Sequence, residues 1–144
     1  MNHADIRILV VDDQLHMRRM VRRMLIHLGY TTIEENDGKT VLQTLKLYRY
    51  HLVICDWQME PTSGLEVLTF VRSDDGLRDT PFIMLTGENT SDAVQAAIKA
   101  GAQGYIAKPV SLQTLGSTIE RVLGKAQGAS ASTNARVPKR VAGG

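Results

Sequence analysis

The chain has 144 residues, 43% hydrophobic and 22% charged, a composition typical of one globular domain with its own core. No apolar stretch approaches the roughly 20 residues of a membrane-spanning helix, and no basic segment followed by an apolar one opens the chain. The lack of such a stretch predicts no membrane insertion. One cysteine cannot form an internal disulfide, which fits the reducing cytoplasm where we expect this protein.

The formal net charge of +2 is unevenly distributed. Residues 125–144 contain four basic side chains and no acidic one, whereas residues 1–124 contain 13 basic and 15 acidic ones, a net charge of −2. A body of that sign makes nucleic acid an unlikely partner. The terminal segment is rich in Ala, Ser and Gly and has little to bury, so we predict a folded domain at 1–124 and a disordered basic tail at 125–144.

Short apolar runs alternate with helical periodicity along the predicted domain. The runs predict five strands, at 6–11, 31–34, 51–55, 81–85 and 105–107. Apolar residues at steps of three and four predict five helices, over about 17–28, 37–45, 65–71, 93–98 and 112–122. Parallel strands need crossover connections, so this alternation predicts an α/β fold whose parallel sheet is covered by helices on both faces.

Carboxylates follow two of the predicted strands. Asp12 and Asp13 end the first strand, and Asp56 ends the third. Ligands of such sheets bind beyond the carboxyl ends of the strands, where the strand order reverses. Carboxylates gathered there repel one another unless a cation compensates them, and Mg²⁺ is the hard divalent ion that suits oxygen ligands. Taken singly, each acid could equally be solvated or cap a helix.

Two further strand ends are expected at the same rim. Thr86 and Gly87 follow the fourth strand, and Lys108 and Pro109 follow the fifth. A hydroxyl and an ammonium beside carboxylates suit a phosphoryl group carried by one of the acids, because the hydroxyl can donate a hydrogen bond and the ammonium can offset charge. Alone, either residue would be an ordinary loop residue.

These segments together resemble the response-regulator receiver domain over about residues 5–124, and most of all the stand-alone chemotaxis regulators of the CheY type. The matching segments are LVVDD at 9–13, MRRMVRRML at 17–25, ICDWQM at 54–59, LTGE at 85–88 and GYIAKP at 104–109. The resemblance implies a flavodoxin-like, doubly wound sheet in the strand order 2-1-3-4-5, as in flavodoxin and CheY.

The resemblance also implies roles for the acids. Asp56 would accept a phosphoryl group from a histidine kinase or a histidine phosphotransfer protein. Asp12, Asp13 and Asp56, with the backbone carbonyl of Gln58, would hold Mg²⁺. Gln58 and Glu88 would tune the hydrolysis of the acyl phosphate.

A second group of residues would bind the phosphoryl group and report its presence. Thr86, Gly87 and Lys108 would contact it, and the Lys108–Pro109 bond would be cis. Thr86 and Tyr105 would form a switch that alters the face made by the fourth helix, the fifth strand and the fifth helix. The implied protein is a single-domain response regulator, a monomer or a phosphorylation-dependent dimer, that changes its affinity for a downstream protein.

Two alternatives stay open at this point. The chain could be the receiver part of a transcription regulator, or a metal-dependent phosphatase with an Asp nucleophile. The second needs an acid two residues after Asp56, where Gln58 stands. A receiver is no enzyme in the ordinary sense, because it catalyses only its own phosphorylation and dephosphorylation.

Two features of the sequence are not explained by the receiver pattern. Glu60 stands between Met59 and Pro61, whereas many receivers have Met-Pro here, so we expect an altered loop after the third strand. The first helix carries four arginines, at positions 18, 19, 22 and 23. They form either a solvated basic face or a docking surface for an acidic phosphodonor.

Overall fold

The computed structural model describes residues 2–87 and 90–133, with side chains through Lys125. Five parallel strands form one sheet in the order β2-β1-β3-β4-β5, which confirms the predicted doubly wound topology. The strands are β1 (Arg7–Val11), β2 (Thr32–Asn36), β3 (Leu52–Asp56), β4 (Phe82–Thr86) and β5 (Gly104–Ala107).

Five helices connect and follow the strands, after a 3₁₀ turn at His3–Asp5 that the sequence pattern did not predict. They are α1 (Leu15–His27), α2 (Val41–Leu47), α3 (Gly64–Ser73), α4 (Ser91–Ala100) and α5 (Leu112–Thr133). Among residues 2–87 and 90–133, none of these helices combines the length and apolar character that a bilayer span requires.

The sheet has a hydrophobic core on each face, which is why its central strands read as continuous apolar runs. Every residue of β3 and β4 is buried. Ile8, Ile54 and Ile83 pack with side chains of α1 and α5 on one face. Val53 and Cys55 pack with α2 and α3 on the other. Cys55 therefore points toward α2 and α3, and strand alternation directs the neighbouring Asp56 side chain to the opposite face.

The end of α5 differs from the sequence prediction. We predicted a disordered segment from residue 125, but the helix continues through that position to Thr133. The stretch 125–133 contains no proline, so no residue in it forces the helix to end at the predicted boundary. The rest of the predicted tail, 134–144, lies outside the described residues.

Candidate functional site

Three carboxylates meet at the carboxyl edge of the sheet, at the switch point between β1 and β3. These two strands are neighbours, and Val11 pairs with Cys55, so the residues that follow each strand emerge side by side. One oxygen from each of Asp12, Asp13 and Asp56 lies within 4.8 Å of the other two. The sequence predicted this convergence because parallel strands end at the same edge.

Asp12 is buried, and hydrogen bonds hold both its backbone and its side chain. It is 1% exposed, its N–H donates to the Asn36 carbonyl at 3.1 Å, and its Oδ1 accepts the Gln14 N–H at 2.9 Å. Its Oδ2 is buried and receives no hydrogen bond from the described residues. The ammonium of Lys108 lies 3.8 Å from that oxygen.

Lys108 connects β5 to the acids. Its Nζ lies 2.8 Å from Asp56 Oδ1, and its backbone N–H donates to the Thr86 carbonyl at 2.8 Å, so the carboxyl ends of β4 and β5 fix the position of the side chain. The Lys108–Pro109 peptide bond is cis. The side chain of Lys108 is 23% exposed, so its charge is only partly screened by water.

Burial raises the pKa of Asp56, and the hydrogen bond and charge of Lys108 oppose that rise without cancelling it. Burial likewise raises the pKa of Asp12, against the hydrogen bond from the Gln14 N–H. Like-charge repulsion from Asp56 and Asp13 also raises the pKa of Asp12, and repulsion from Asp13 also raises the pKa of Asp56. Keeping Asp12 and Asp56 both ionised in this partly buried site costs free energy. A bound cation would offset that cost, so the site should attract one.

The loop joining β3 to α3, residues 57–63, forms the exposed wall of the site. The Glu60 N–H donates to Asp13 Oδ2 at 3.3 Å, and the Glu60–Pro61 peptide bond is cis, as the bond before Pro109 is. The loop therefore brings a backbone donor onto Asp13, and an altered path relative to Met-Pro receivers stays a prediction. An open pocket of about 420 Å³ lies here, lined by Asp13, Trp57, Gln58, Met59, Glu60 and Ser63.

The predicted phosphoryl-binding and switch residues lie beside the acids. Thr86 is fully buried at the end of β4, and Gly87 follows it on the surface. Tyr105 is half-buried on β5 and packs against the core cluster that contains Met84. Thr86 pairs with Ala107, and Met84 with Tyr105, so Thr86 and Tyr105 lie on one face of the sheet, two residues apart in register.

The residues predicted to tune hydrolysis are placed only in part. Gln58 is exposed, two residues after Asp56 and on the rim of the open pocket. Glu88 lies outside the described residues.

The arginines of α1 do not form a uniform solvated face. The Arg18 side chain is 14% exposed and lies 3.1 Å from Glu35 on β2. Arg22 donates from Nη1 to the Ile33 carbonyl at 3.0 Å. The solvated-face interpretation is wrong for Arg18, because β2 supplies a carboxylate that covers it. The other two arginines are exposed, and docking of a phosphodonor there stays a prediction.

The sequence profile of the response regulator receiver domain matches residues 8–120. The chain belongs to the response-regulator receiver family. It is 37% identical over 123 residues to the chemotaxis protein CheY of Pseudomonas aeruginosa, which is 85% of this chain and 99% of the relative. It is 35% identical over 121 residues to CheY-3 of Vibrio cholerae, 83% of this chain and 93% of the relative.

Solved receiver structures share the fold. The chemotaxis response regulator CheY4 of Vibrio cholerae is 33% identical, with a TM-score of 0.74 over 81% of this chain and 98% of its own. The receiver domain of a sensor histidine kinase from Pseudomonas aeruginosa is 25% identical, with a TM-score of 0.74 over 83% of this chain and 98% of its own. That domain holds a magnesium ion coordinated in its active site cleft.

The donors of this receiver fit the same kind of ion. Asp12, Asp13 and Asp56 offer only oxygen, the ligand type that Mg²⁺ prefers. The Oδ2 atom of Asp12 is buried without a hydrogen bond among the described residues, so it is available to a cation at low desolvation cost.

Sequence reasoning missed two contacts of the receiver site. Arg18 Nη1 donates to the carbonyl of Asp12 at 2.8 Å, and the Glu60 N–H reaches Asp13. The second pair is separated by 47 positions, and neither pair has a spacing that signals contact. The one available signal was the Glu60-Pro61 departure, which marked the loop as unusual without showing what it touches.

Proposed function

We propose that this receiver is a single-domain response regulator that takes a phosphoryl group onto Asp56. The observation that carries the proposal is the Lys108 ammonium 2.8 Å from Asp56 Oδ1, beside the convergent carboxylates of Asp12 and Asp13. A buried carboxylate beside an ammonium can act as a nucleophile, because the ammonium can offset the charge of an incoming phosphoryl group. The donor is a histidine kinase or a histidine phosphotransfer protein.

In the transfer, an oxygen of Asp56 forms a bond to phosphorus as the P–N bond to the donor imidazole breaks. The imidazole leaves with the electron pair and takes a proton from solvent. Lys108 stays within reach of the phosphoryl oxygens and offsets their charge, and the Thr86 hydroxyl donates a hydrogen bond to one of them. The acids and the lysine thus prepare the nucleophile and stabilise the product.

Asp12, Asp13 and Asp56, with the Gln58 carbonyl, would hold Mg²⁺ at the acid cluster. When bound, the ion offsets the charge of the transferring group. The role of these residues is to place oxygen donors at the carboxyl edge of the sheet. Because Asp12 is buried, its carboxylate cannot rotate out into solvent, and its oxygen stays directed at the site.

The output of the switch is a change in binding of a protein partner. A hydrogen bond from Thr86 to a charged phosphoryl group contributes about 1.5–3 kcal/mol. That is enough to shift a two-state equilibrium by roughly ten- to a hundredfold. Tyr105 lies on the same sheet face and is half-buried, so its turning inward would reshape the surface of α4, β5 and α5. The chemotaxis relatives support a chemotaxis partner, with the active form a monomer or a phosphorylation-dependent dimer.

Several further expectations belong to this proposal. The protein is not an enzyme with a separate substrate, since it catalyses only its own phosphorylation and dephosphorylation, with Gln58 and Glu88 tuning the second reaction. The proposed location is the cytoplasm, which suits the unpaired, buried thiol of Cys55.

Trp57, the only tryptophan, adjoins the proposed acceptor and reports on it. Its emission should respond first to Mg²⁺ and then to beryllofluoride or acetyl phosphate. The Asp56→Asn variant should lose the second response, and intact-mass measurement should show one added phosphoryl group on the wild type and none on the variant. A wild type without either response, or a variant that keeps the phosphodonor response, contradicts the proposal.

A further inference from the structure

We infer that Arg18 is a positioning residue for Asp12, and that through Asp12 it sets the affinity of the site for a divalent cation. The inference rests on the proposed Mg²⁺ site and adds a residue that the resemblance does not assign to it. Arg18 contacts no atom proposed to bind the ion. It acts on the backbone that carries one of the ligands.

The Arg18 guanidinium bridges two strands from its place on α1. Nη1 donates to the Asp12 carbonyl at 2.8 Å, and Nε donates to Glu35 Oε1 at 3.1 Å. Asp12 follows β1 and Glu35 lies on β2, so one planar group joins the helix to the end of both strands. The side chain is 14% exposed, so little solvent competes with these bonds.

With Arg18 in place, Asp12 is fixed at three points. Its N–H donates to Asn36, its Oδ1 accepts from Gln14, and its carbonyl accepts from Arg18. The sheet itself does not pair this carbonyl, because the β1–β2 and β1–β3 ladders both end at Val11. Only Oδ2 is left without a hydrogen bond from the described residues. Arg18 therefore closes the set of contacts that aims this oxygen into the site.

Arginine suits this position better than lysine would. Its planar fork presents separate donors in fixed directions, so it can hold a carbonyl and a carboxylate together. An ammonium on a flexible stem is a point charge, and it would satisfy one of the two partners at the expense of the other. Residues that orient metal ligands typically change metal affinity by about 10–100-fold when replaced.

The sign of the effect separates positioning from simple electrostatics. Arg18 is a cation near a cation site, so removing its charge without other change should tighten Mg²⁺ binding. Losing its hold on Asp12 should weaken binding instead. Arg19 provides the matched control, because it lies on the same helix, 3.7 Å from the same Glu35 carboxylate, and its side chain is 60% exposed.

The test measures Mg²⁺ dissociation constants from Trp57 emission at constant ionic strength. We expect Arg18→Lys, which keeps the charge, to bind Mg²⁺ about tenfold more weakly than the wild type. Arg18→Gln should also bind more weakly, despite the lost repulsion. Arg19→Gln, with the same change of charge, should bind equally well or up to about twofold more tightly. Far-UV circular dichroism at each Mg²⁺ concentration establishes that every variant titrated is folded.

The outcomes distinguish this inference from the proposed function. A wild type that does not bind Mg²⁺ removes both. A wild type that binds, together with Arg18→Lys at wild-type affinity, overturns the positioning role and leaves the proposed function intact. Tighter binding by both Arg18→Gln and Arg19→Gln would likewise overturn it, because electrostatics alone would then account for Arg18.

Discussion

Replacing Gly64 with alanine should destabilise the protein, because α3 begins in contact with the backbone of Asp56, the proposed phosphoacceptor. A Cβ built at Gly64 would lie 2.9 Å from the Met84 sulfur and 2.9 Å from the Trp57 Cα, with the Asp56 carbonyl oxygen closer still. Two of these neighbours are backbone atoms, which cannot rotate away. The Gly64 N–H also donates to the Trp57 carbonyl at 2.8 Å, which holds the two segments at this separation.

The expected loss can be estimated from opposing contributions. Forcing an extra carbon into a packed site costs about 1–3 kcal/mol, and the upper end applies where backbone must move. Alanine recovers at most about 1 kcal/mol over glycine in a helix, and less here because Gly64 is the first residue of α3. We therefore expect Gly64→Ala to lower the free energy of unfolding by about 2–3 kcal/mol. Mg²⁺ affinity should fall as well, since the displaced backbone is that of Asp56.

Urea unfolding followed by far-UV circular dichroism measures the loss. Gly124→Ala is the matched control, because a Cβ there meets nothing within 4 Å and the residue lies within α5. The control should raise the free energy of unfolding by up to about 1 kcal/mol. Two results would contradict the prediction: stability shifts of the same sign for Gly64→Ala and Gly124→Ala, or a Gly64→Ala variant within about 0.5 kcal/mol of the wild type. Either would mean that the close contacts around Gly64 do not exclude a larger side chain there.

Two further predictions concern charge. Lys108→Met should tighten Mg²⁺ binding by roughly tenfold, because the ammonium 2.8 Å from Asp56 competes with the ion for the carboxylates. A titration followed by Trp57 emission measures the affinity, and weaker binding by the variant would contradict this expectation. Burial lowers the pKa of His51 from its usual 6.5, and the positive charge of Arg7 lowers it further. The neutral ring accepts a hydrogen bond from the Arg7 backbone N–H through Nδ1, at 2.9 Å. The unfolded chain therefore takes up the proton first as pH falls below 6.5, and this contribution to stability is lost as pH drops toward the lowered native pKa. His51→Asn keeps an acceptor without a pKa, so urea unfolding should show a smaller loss of stability below pH 6.5 than in the wild type, and equal losses would argue against the His51 contribution.

The fold was predictable because its signals are local and repeated. The alternation of strand and helix patterns predicted a parallel sheet. The strand order implied by the resemblance to receiver domains then made β1 and β3 neighbours, so that their carboxyl ends meet. Element ends were less certain. α5 passes the predicted boundary at 124, and no proline in 125–133 marks where it ends.

The contacts around the acids were not predictable in the same way. Nothing in the spacing of Arg18 and Asp12 distinguishes a guanidinium on a carbonyl from one in solvent. The hydrogen bond from Glu60 to Asp13 depends on the path of a loop whose residues have no periodic pattern. Both depend on where two segments lie in space, and hydrophobic periodicity carries no such information.

The sequence by itself therefore determined the order of elements and the two-sided core, and the strand order that its family resemblance implies placed Asp12, Asp13 and Asp56 at one edge. Periodicity and strand alternation are properties of the chain, and they decide which side chains must leave water. Only the tertiary structure decided that Arg18 holds the backbone of Asp12, that the Glu60 N–H reaches Asp13 and that Asp12 Oδ2 lacks a hydrogen bond from the described residues. Hydrogen bonds are short and directional, so their partners are settled only once packing has placed the strands and helices.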